Sequence, residues 1–253
     1  MSGRGGLHQA AMALAVVSVL TTVGAGVTAG VAATRGDDSN GSGTLVRGSG
    51  DPSETETEPS QEPAFDYAGW QEVSGIPGDS GDSALYRLPA TGWKTYAADY
   101  AVSFRDRNEK AYASGHALAN YYGNRCKESG KRMAGGWVVL ADTEPSGDLK
   151  TIAEDAVRRW ARGYATNASG TTADMTEPTP KDVTLNDGTE AARATIEIDM
   201  SIFGGVCLPN RAEVAVTTID TPDGAKTLVQ ARYVSAVGIT DRQWQGIAQS
   251  LEQ

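Results

Sequence analysis

Two apolar runs decide the fold of this chain: AEVAVTTI at residues 212–219 and TLVQARYVSAV at residues 227–237. Apolar and β-branched residues dominate both runs, which is typical of strands in a buried sheet. The segment between the runs contains Pro222, Asp223 and Gly224, which favour a tight turn. The sequence therefore predicts an antiparallel hairpin in this region.

A further strand pattern precedes this hairpin. Apolar residues at 194, 196, 198 and 200 alternate with polar ones, which predicts a half-buried strand with one face in water. Another strand is predicted from Val183, with a hairpin turn at Asn186, Asp187 and Gly188. Upstream strand candidates lie at residues 85–88, 100–104 and 137–141. Strands in hairpins indicate an antiparallel sheet.

The first predicted helix follows Asp148, where apolar residues recur at helical spacing and charged residues lie between them. Its apolar positions are Leu149, Ile152, Ala153, Ala156, Val157, Trp160, Ala161 and Tyr164. Arg158, Arg159 and Arg162 lie on its other side, and we interpret them as solubilising residues paired with Glu154 and Asp155.

A second helix is predicted at the C-terminus. Thr240 and Gln243 form a capping box, and Trp244, Ile247, Ala248 and Leu251 share one face of the helix that follows. The order of strands, helix, strands and helix favours an α+β domain over residues 83–253, with an antiparallel sheet flanked by helices.

The segment before this domain is strongly acidic. Residues 36–82 contain eleven acidic residues and one basic residue, Arg47, and the whole chain has a net charge of −10. Such a composition predicts a disordered acidic linker over residues 34–82. The acidic balance of the chain also argues against nucleic acid as a partner.

The N-terminal segment has no Asp, Glu, Lys or Arg from Leu7 to Thr34. Because roughly 20 apolar residues cross the hydrocarbon core, we predict a transmembrane helix at residues 9–33 after a short cytoplasmic tail at residues 1–8. This arrangement predicts a single-pass protein of the cell membrane, N-terminus inside, with the C-terminal domain extracytoplasmic. The alternative is a secreted protein with a cleaved signal peptide whose apolar region is residues 10–20. The length of the run favours the retained anchor.

The two cysteines, Cys126 and Cys207, lie 81 positions apart. In an oxidising compartment a lone pair of cysteines is most simply a disulfide, and closing so long a loop stabilises by about 4 kcal/mol in the chain-entropy model. No metal site is predicted, because two thiols need further ligands and the only histidines are His8 and His116.

Several short motifs resemble those of a known family. They are Tyr86-Arg-Leu-Pro89 followed by Gly92-Trp93, the run AGGWVVL at residues 134–140, and the terminal Trp244, Ile247 and Leu251. Together they resemble uncharacterised actinobacterial membrane-anchored proteins with a PsbP-like extracytoplasmic domain of unknown function. The resemblance implies an α/β/α sandwich around the antiparallel sheet and assigns no catalytic residue. It also fits a pair of cysteines.

Chemistry-bearing motifs are scarce. The sequence has no Gly-x-Ser-x-Gly, HExxH, P-loop or Gly-x-Gly-x-x-Gly motif, so no catalytic residue, metal ligand or cofactor is predicted. His116, in Ser114-Gly115-His116, is the only histidine available to a catalytic triad in the domain, and we interpret it as an ordinary surface residue.

Aromatic residues are dense between positions 86 and 122, and Tyr112, Tyr121 and Tyr122 form the candidate binding patch. The alternative is that these rings belong to the core, since strands favour tyrosine. We expect a non-catalytic binding or accessory module of the cell envelope that contacts an unknown envelope protein or ligand. A cell-envelope hydrolase with an unidentified active site is the alternative.

Overall fold

The computed structural model describes residues 65–75, 84–106, 109–123, 126–128, 131–167, 169–203, 207–235 and 238–253. The predicted cytoplasmic tail and transmembrane segment, and most of the predicted linker, lie outside these ranges. No helix within them is both long and apolar enough to cross a membrane.

Within these ranges the chain forms thirteen strands, two α-helices and one 3₁₀ helix. The strands before the first helix are β1 Trp70–Ser74, β2 Leu85–Pro89, β3 Trp93–Thr95, β4 Val102–Arg105, β5 Ala111–Tyr121, β6 Lys127–Glu128, β7 Lys131–Arg132 and β8 Gly136–Ala141. The later strands are β9 Asp174–Met175, β10 Lys181–Thr184, β11 Glu190–Asp199, β12 Arg211–Thr221 and β13 Gly224–Tyr233. The helices are α1 Leu149–Ala165, the 3₁₀ helix Met200–Phe203 and α2 Asp241–Gln249.

Nine strands form the main sheet, in the order β10–β11–β12–β13–β8–β5–β3, with β4 paired to β5 and β9 paired to β11. All of these pairings are antiparallel. The predicted hairpin is β12–β13, where Thr221 pairs with Gly224 and only Pro222 and Asp223 lie between the strands. Gly224 has a φ of 120°, which favours glycine at this turn.

The predicted α+β class, with its PsbP-like α/β/α sandwich, is wrong: the described structure is mainly β. The 17 residues of α1 and the nine of α2 are its only α-helices. Nine helical residues span about 14 Å, whereas seven strands side by side span about 29 Å. Helix α2 therefore covers only part of its face, and a β-hairpin covers much of the remainder.

Helix α1 covers one face of the sheet and begins, as predicted, directly after Asp148, whose carboxylate accepts from the Thr151 amide (2.9 Å) and caps the helix. Its apolar stripe packs on β11, β12 and β13. Trp160 is 3% exposed and lies 5.5 Å from the Trp137 ring on β8, between ring centroids. Phe104 of β4 packs edge-on against Trp160 at 5.6 Å. Aromatic rings therefore join α1 to the part of the sheet nearest β5.

The opposite face is covered by α2 together with the β1–β2 hairpin. Trp244 of α2 is 3% exposed, and its ring nitrogen donates to Glu213 (3.1 Å). Arg232 of β13 donates two N–H groups to the same carboxylate and lies 4.7 Å from the Trp244 ring centroid. The capping box of Thr240 and Gln243 is present as predicted.

The folded part of the chain extends to the N-terminal side of residue 83, where the domain was predicted to begin. Residues 70–74 form β1, which pairs with β2 throughout its length. Phe65 donates its amide to the Asn186 side chain (2.6 Å), and the Tyr67 hydroxyl donates to the Gly246 carbonyl (2.9 Å). The aromatic residues at the end of the acidic segment therefore belong to the folded domain, because their rings cover α2.

The longest strand that the sequence did not predict is β5, the 11-residue AYASGHALANY. It pairs with β3, β4 and β8, so it connects the N-terminal strands to the remainder of the sheet. Most of its buried residues are small: Ala113, Gly115, Ala117 and Ala119 lie in the core beside Leu118 and Tyr121. Small side chains weaken the alternating pattern by which a strand is normally identified.

The predicted disulfide is present between Cys126 and Cys207. It connects the chain just after β5 with the segment before β12, which are 81 positions apart in sequence. The disulfide therefore joins the region of β5 to the region of β12. Helix α1 packs against both of these regions.

Substitution of Gly163 tests the contact between α1 and β4. Replacing glycine by alanine within a helix normally stabilises by about 0.5–1 kcal/mol. At Gly163, however, a Cβ would lie 2.3 Å from the Phe104 ring. We expect Gly163→Ala to lower the free energy of unfolding by about 1–3 kcal/mol, measured by urea denaturation. Gly147→Ala is the control, because its Cβ would meet only Ile152 at 3.6 Å. A more stable Gly163→Ala protein would contradict the packing described here.

Candidate functional site

The three tyrosines of the candidate patch do not lie together. Tyr121 is 9% exposed and packs against Trp93, with 5.3 Å between ring centroids. Tyr122 is half-buried at the end of β5, next to Tyr96 and Asn120. Tyr112 is half-buried near the start of β5 and stacks with Phe104 at 6.5 Å. The structure thus divides them between the core and two separate surfaces.

Tyr122 belongs to a tyrosine cluster that consists of Tyr96, Tyr100, Asn120 and Tyr122. The Asn120 amide donates to the hydroxyls of Tyr96 (3.3 Å) and Tyr122 (3.4 Å). The rings of Tyr96 and Tyr100 stack at 4.9 Å, and burial raises the pKa of Tyr122. This cluster covers the β5 side of the sheet beyond α1, and its hydrogen bonds are largely internal.

Tyr112 lines a different feature, which we name the polar cleft. It lies between β5, the end of β8 and the middle of α1, and has a volume of about 150 Å³. Its polar side chains are Tyr112, Ser114, Asp142, Glu144 and Arg159. Buried Ala113, Ala156, Trp160 and Thr227 form its base. A concave site with convergent polar groups is the usual place for a ligand.

A close approach of two strands positions the first polar pair. Gly115 of β5 lies so near β8 that a Cβ there would be 2.3 Å from the Leu140 carbonyl oxygen. Asp142 directly follows β8, and its amide donates to the Ser114 carbonyl (3.0 Å). The Ser114 hydroxyl in turn donates to the Asp142 carboxylate. Backbone and side-chain bonds therefore fix Asp142 at the rim of the cleft.

His116 lies on the other side of Asp142. Its Nδ1 is 4.0 Å from the Asp142 carboxylate. The pairing of β5 and β8 is irregular between His116 and Ala119, and Ala117 has a φ of 53°. The buried Tyr86 hydroxyl donates to the Ala117 carbonyl (2.6 Å), which holds this irregularity in place.

The order of these three groups differs from that of a serine hydrolase. In a catalytic triad the imidazole lies between the hydroxyl and the carboxylate and accepts the hydroxyl proton. Here the carboxylate of Asp142 lies between Ser114 and His116, and the Ser114 proton is donated to that carboxylate. The arrangement therefore holds an ionised acceptor rather than activating a nucleophile. Nearby His116 and the Ser114 hydrogen bond lower the pKa of Asp142.

An ion pair forms the opposite wall of the cleft. Arg159 of α1 donates to Glu144, and both side chains are 37% exposed. Arg162, one turn further, places its guanidinium 5.7 Å from the Tyr112 ring centroid. Burial raises the pKa of Tyr112, so its hydroxyl stays protonated. The charged side chains that line the cleft are therefore the carboxylates of Asp142 and Glu144 and the guanidinium of Arg159.

The sequence did not single out Asp142, Glu144 or Arg159. The arginines of α1 were expected to pair with Glu154 and Asp155, and Arg158 does pair with Glu154 (2.8 Å) and with Glu177. Arg159 instead reaches across to Glu144. Its position directly before Trp160, at the edge of the apolar stripe, is the signal that could have identified it.

A smaller cavity of about 10 Å³ lies on the other face of the sheet, bordered by Gly75, His116, Thr143 and Lys226. Lys226 is 3% exposed, and its ammonium donates to the Thr143 hydroxyl (2.7 Å). A space of this size holds at most one water. In the described ranges, no three His, Cys, Asp or Glu side chains group so as to hold a metal ion.

The fold and site define a mainly antiparallel β-domain with one helix on each face of its sheet and a polar cleft beside α1. The chain belongs to the DUF8017 family, a domain of unknown function, whose family model matches residues 66–252. This match begins where the aromatic segment at Phe65 and Tyr67 joins the fold, in agreement with the structural boundary. No curated protein matches the chain.

The lowered pKa of Asp142 has a consequence for stability. Because its folded pKa lies below the unfolded value of about 3.9, its carboxylate stabilises the fold above about pH 5 and loses that contribution at lower pH. We expect Asp142→Asn to be less stable than wild type near pH 6, and the difference to shrink below about pH 4.

Urea denaturation between pH 2.5 and 7 measures this difference. Asp174→Asn, at an exposed position on β9, controls for the loss of one surface charge. A difference between Asp142→Asn and wild type that stays constant across this range would contradict a lowered pKa at Asp142.

Proposed function

We propose that this protein is a non-catalytic binding module of the cell envelope, held at the membrane by residues 9–33, which binds its ligand in the polar cleft. The observation that carries the proposal is the cleft itself. It combines about 150 Å³ of space with convergent donors and acceptors on three different elements. An actinobacterial source, implied by the sequence resemblance, remains a prediction.

Hydrogen-bonding capacity left over in the cleft supports binding. Arg159 has five N–H donors, and within the described structure its hydrogen bond goes to Glu144 alone. Asp142 accepts from Ser114 through one oxygen, and its other oxygen lies 4.0 Å from His116 Nδ1 at the exposed side of the residue. These groups keep rigid positions because the strands and α1 hold them. Preorganised groups with free capacity are what a binding site requires.

The order of Ser114, Asp142 and His116 supports binding over hydrolysis. In a catalytic triad the imidazole accepts the hydroxyl proton, whereas here the Ser114 hydroxyl donates to Asp142 and His116 lies beyond that carboxylate. The same bond gives Asp142 a fixed position from which to accept a ligand donor. We therefore favour a binding role over the alternative of an envelope hydrolase.

Support for the location comes from the sequence. The uncharged run from Leu7 to Thr34 is long enough to span a bilayer, and an acidic segment separates it from the folded domain. The disulfide between Cys126 and Cys207 suits an oxidising compartment outside the cytoplasm.

Fractionation of cells that express the full-length chain tests the location. We expect the intact protein in the membrane fraction after a high-salt wash, because apolar anchoring does not depend on ionic strength. Protease added to whole cells with a permeable outer layer should cut the acidic segment. Release of a chain shortened at its N-terminus, or recovery in the cytosol, would contradict the membrane anchor.

The binding role is tested with a pair of matched double variants. Glu144→Gln/Arg159→Gln removes the ion pair of the cleft while leaving its charge balance unchanged. Glu154→Gln/Arg158→Gln removes an exposed ion pair from the same helix, outside the cleft. Full-length proteins in detergent are immobilised and exposed to solubilised envelope material.

We expect the cleft variant to retain about tenfold less of the material that binds wild type, because one lost charge-assisted hydrogen bond contributes roughly 1.5–3 kcal/mol. The variant at Glu154 and Arg158 should bind as wild type does. Equal retention by both variants would exclude the polar cleft as the binding site.

A further inference from the structure

A basic hairpin lies at one end of the main sheet, outside the polar cleft. It consists of β6 and β7. Residues 125–132 contain four basic residues and one acidic residue, in a chain whose net charge is −10. Lys127 and Arg132 are exposed and lie directly opposite each other on the two strands. This local excess of positive charge is opposite in sign to the charge of the whole chain.

The fold gives no structural reason for this pair of charges. Residues directly opposite each other in an antiparallel pair have Cβ atoms about 4.5–5.5 Å apart, and like charges at such positions are destabilising. Within the described ranges, neither Lys127 nor Arg132 has an ion pair or a side-chain hydrogen bond. By contrast, Lys150, Arg158 and Arg232 each pair with a carboxylate. Two unpaired charges held side by side are available to an anionic partner.

The disulfide fixes the position of the hairpin. Cys126 directly precedes β6 and is bonded to Cys207, and the Cys126 carbonyl accepts from the Met133 amide just after β7 (3.0 Å). The two ends of the hairpin are thereby joined, and its base is covalently linked to the segment before β12. Binding then costs less conformational freedom, because the charged strands already have a fixed position.

Lys94 adds a third exposed charge at this end of the sheet. It lies on β3 opposite Asn120, one residue before β5 ends, and its ammonium is 4.7 Å from the Tyr96 ring centroid. The positive charges therefore extend over several elements. A partner with several negative groups along its length matches them better than a single ion does.

The hairpin and the start of the described chain lie at opposite ends of the sheet. The hairpin follows Tyr121, which pairs with Gly136 at one end. Phe65 bonds to Asn186, in the turn before β11, at the other end. The ten residues of β11 span about 30 Å between these ends. This separation from the point where the chain enters the domain favours a polymer over the lipid headgroups around the proposed anchor.

We infer that the basic hairpin binds a linear anionic polymer of the cell envelope, one that carries a phosphate or carboxylate group on each repeat. Lys127 and Arg132 bond to neighbouring anionic groups, and Lys94 attracts a further one. The lysine ammonium acts as a point charge, and the arginine guanidinium forms paired hydrogen bonds with either kind of group. This surface is separate from the polar cleft, so the inference does not depend on a ligand in that cleft.

Fluorescence anisotropy on the full-length chain in nonionic detergent tests this inference. The probes are labelled inorganic polyphosphate and labelled polygalacturonate, which distinguish phosphate from carboxylate as the group bound. The competitors are orthophosphate and glycerol 3-phosphate, and the latter carries the charge of a lipid headgroup.

Three double variants are compared with wild type. Lys127→Gln/Arg132→Gln removes both charges of the hairpin, and Lys127→Arg/Arg132→Lys preserves them. Arg105→Gln/Lys110→Gln is the matched control, because it removes one arginine and one lysine from the exposed surface near the start of β5.

We expect at least one polymer to bind wild type, with an affinity that falls steeply between about 50 and 300 mM salt. Lys127→Gln/Arg132→Gln should bind about tenfold more weakly. The charge-preserving variant and the control should bind nearly as wild type does, which separates loss of charge from loss of folding. Neither small phosphate should displace the polymer at equal phosphate concentration.

Failure of both polymers to bind, or equal binding by Lys127→Gln/Arg132→Gln and the control, would overturn the inference. Displacement by either small phosphate at equal concentration would show an adventitious ion only and would exclude the polymer as partner. None of these variants changes a residue of the polar cleft. Retention of envelope material through Glu144 and Arg159 therefore distinguishes failure of this inference from failure of the proposed function.

Discussion

The pairing of β13 with β8 is the contact on which the rest of the structure depends. It joins Leu228 to Leu140 and Arg232 to Gly136, residues about 90 positions apart in sequence. On one side of it lie the later hairpins, and on the other lie the strands that precede α1. Without this ladder the two groups of strands would have separate, unpaired edges, which are unstable in water. Helix α1 and the disulfide both reinforce the same junction.

Burial of β13 on both faces makes its register specific. All ten of its residues are buried, including Lys226, Gln230 and Arg232. Each of these polar residues has a partner on a neighbouring element: Thr143, the Trp244 carbonyl and Glu213. A slip of one residue would move every side chain to the opposite face and separate these pairs. Buried polar groups therefore select one alignment, while the apolar residues provide most of the stability.

The polar cleft is a consequence of how far α1 extends over the sheet. The helix packs closely on β11, β12 and β13, and aromatic rings bridge it to β4 and β8. Near its middle, the small residues Ala113 and Ala156 leave space between β5 and the helix. Water solvates an apolar space poorly. The cleft is stable in solvent because Asp142, Glu144 and Arg159 form a polar rim around it.

The sequence by itself determined the elements whose signals are local: the β12–β13 hairpin, α1 from its apolar stripe and α2 from its capping box. It also predicted the disulfide between Cys126 and Cys207. It did not determine the class of fold, because the share of each face covered by helix depends on how far β1 and β2 extend over the sheet. Strand β5 was not predicted because its small residues carry little periodic signal.

Only the tertiary structure brought Ser114, Asp142, Glu144 and Arg159 to one cleft and placed Tyr121 in the core. Those placements depend on side chains from distant segments meeting across a sheet, and no spacing within one segment encodes such a meeting.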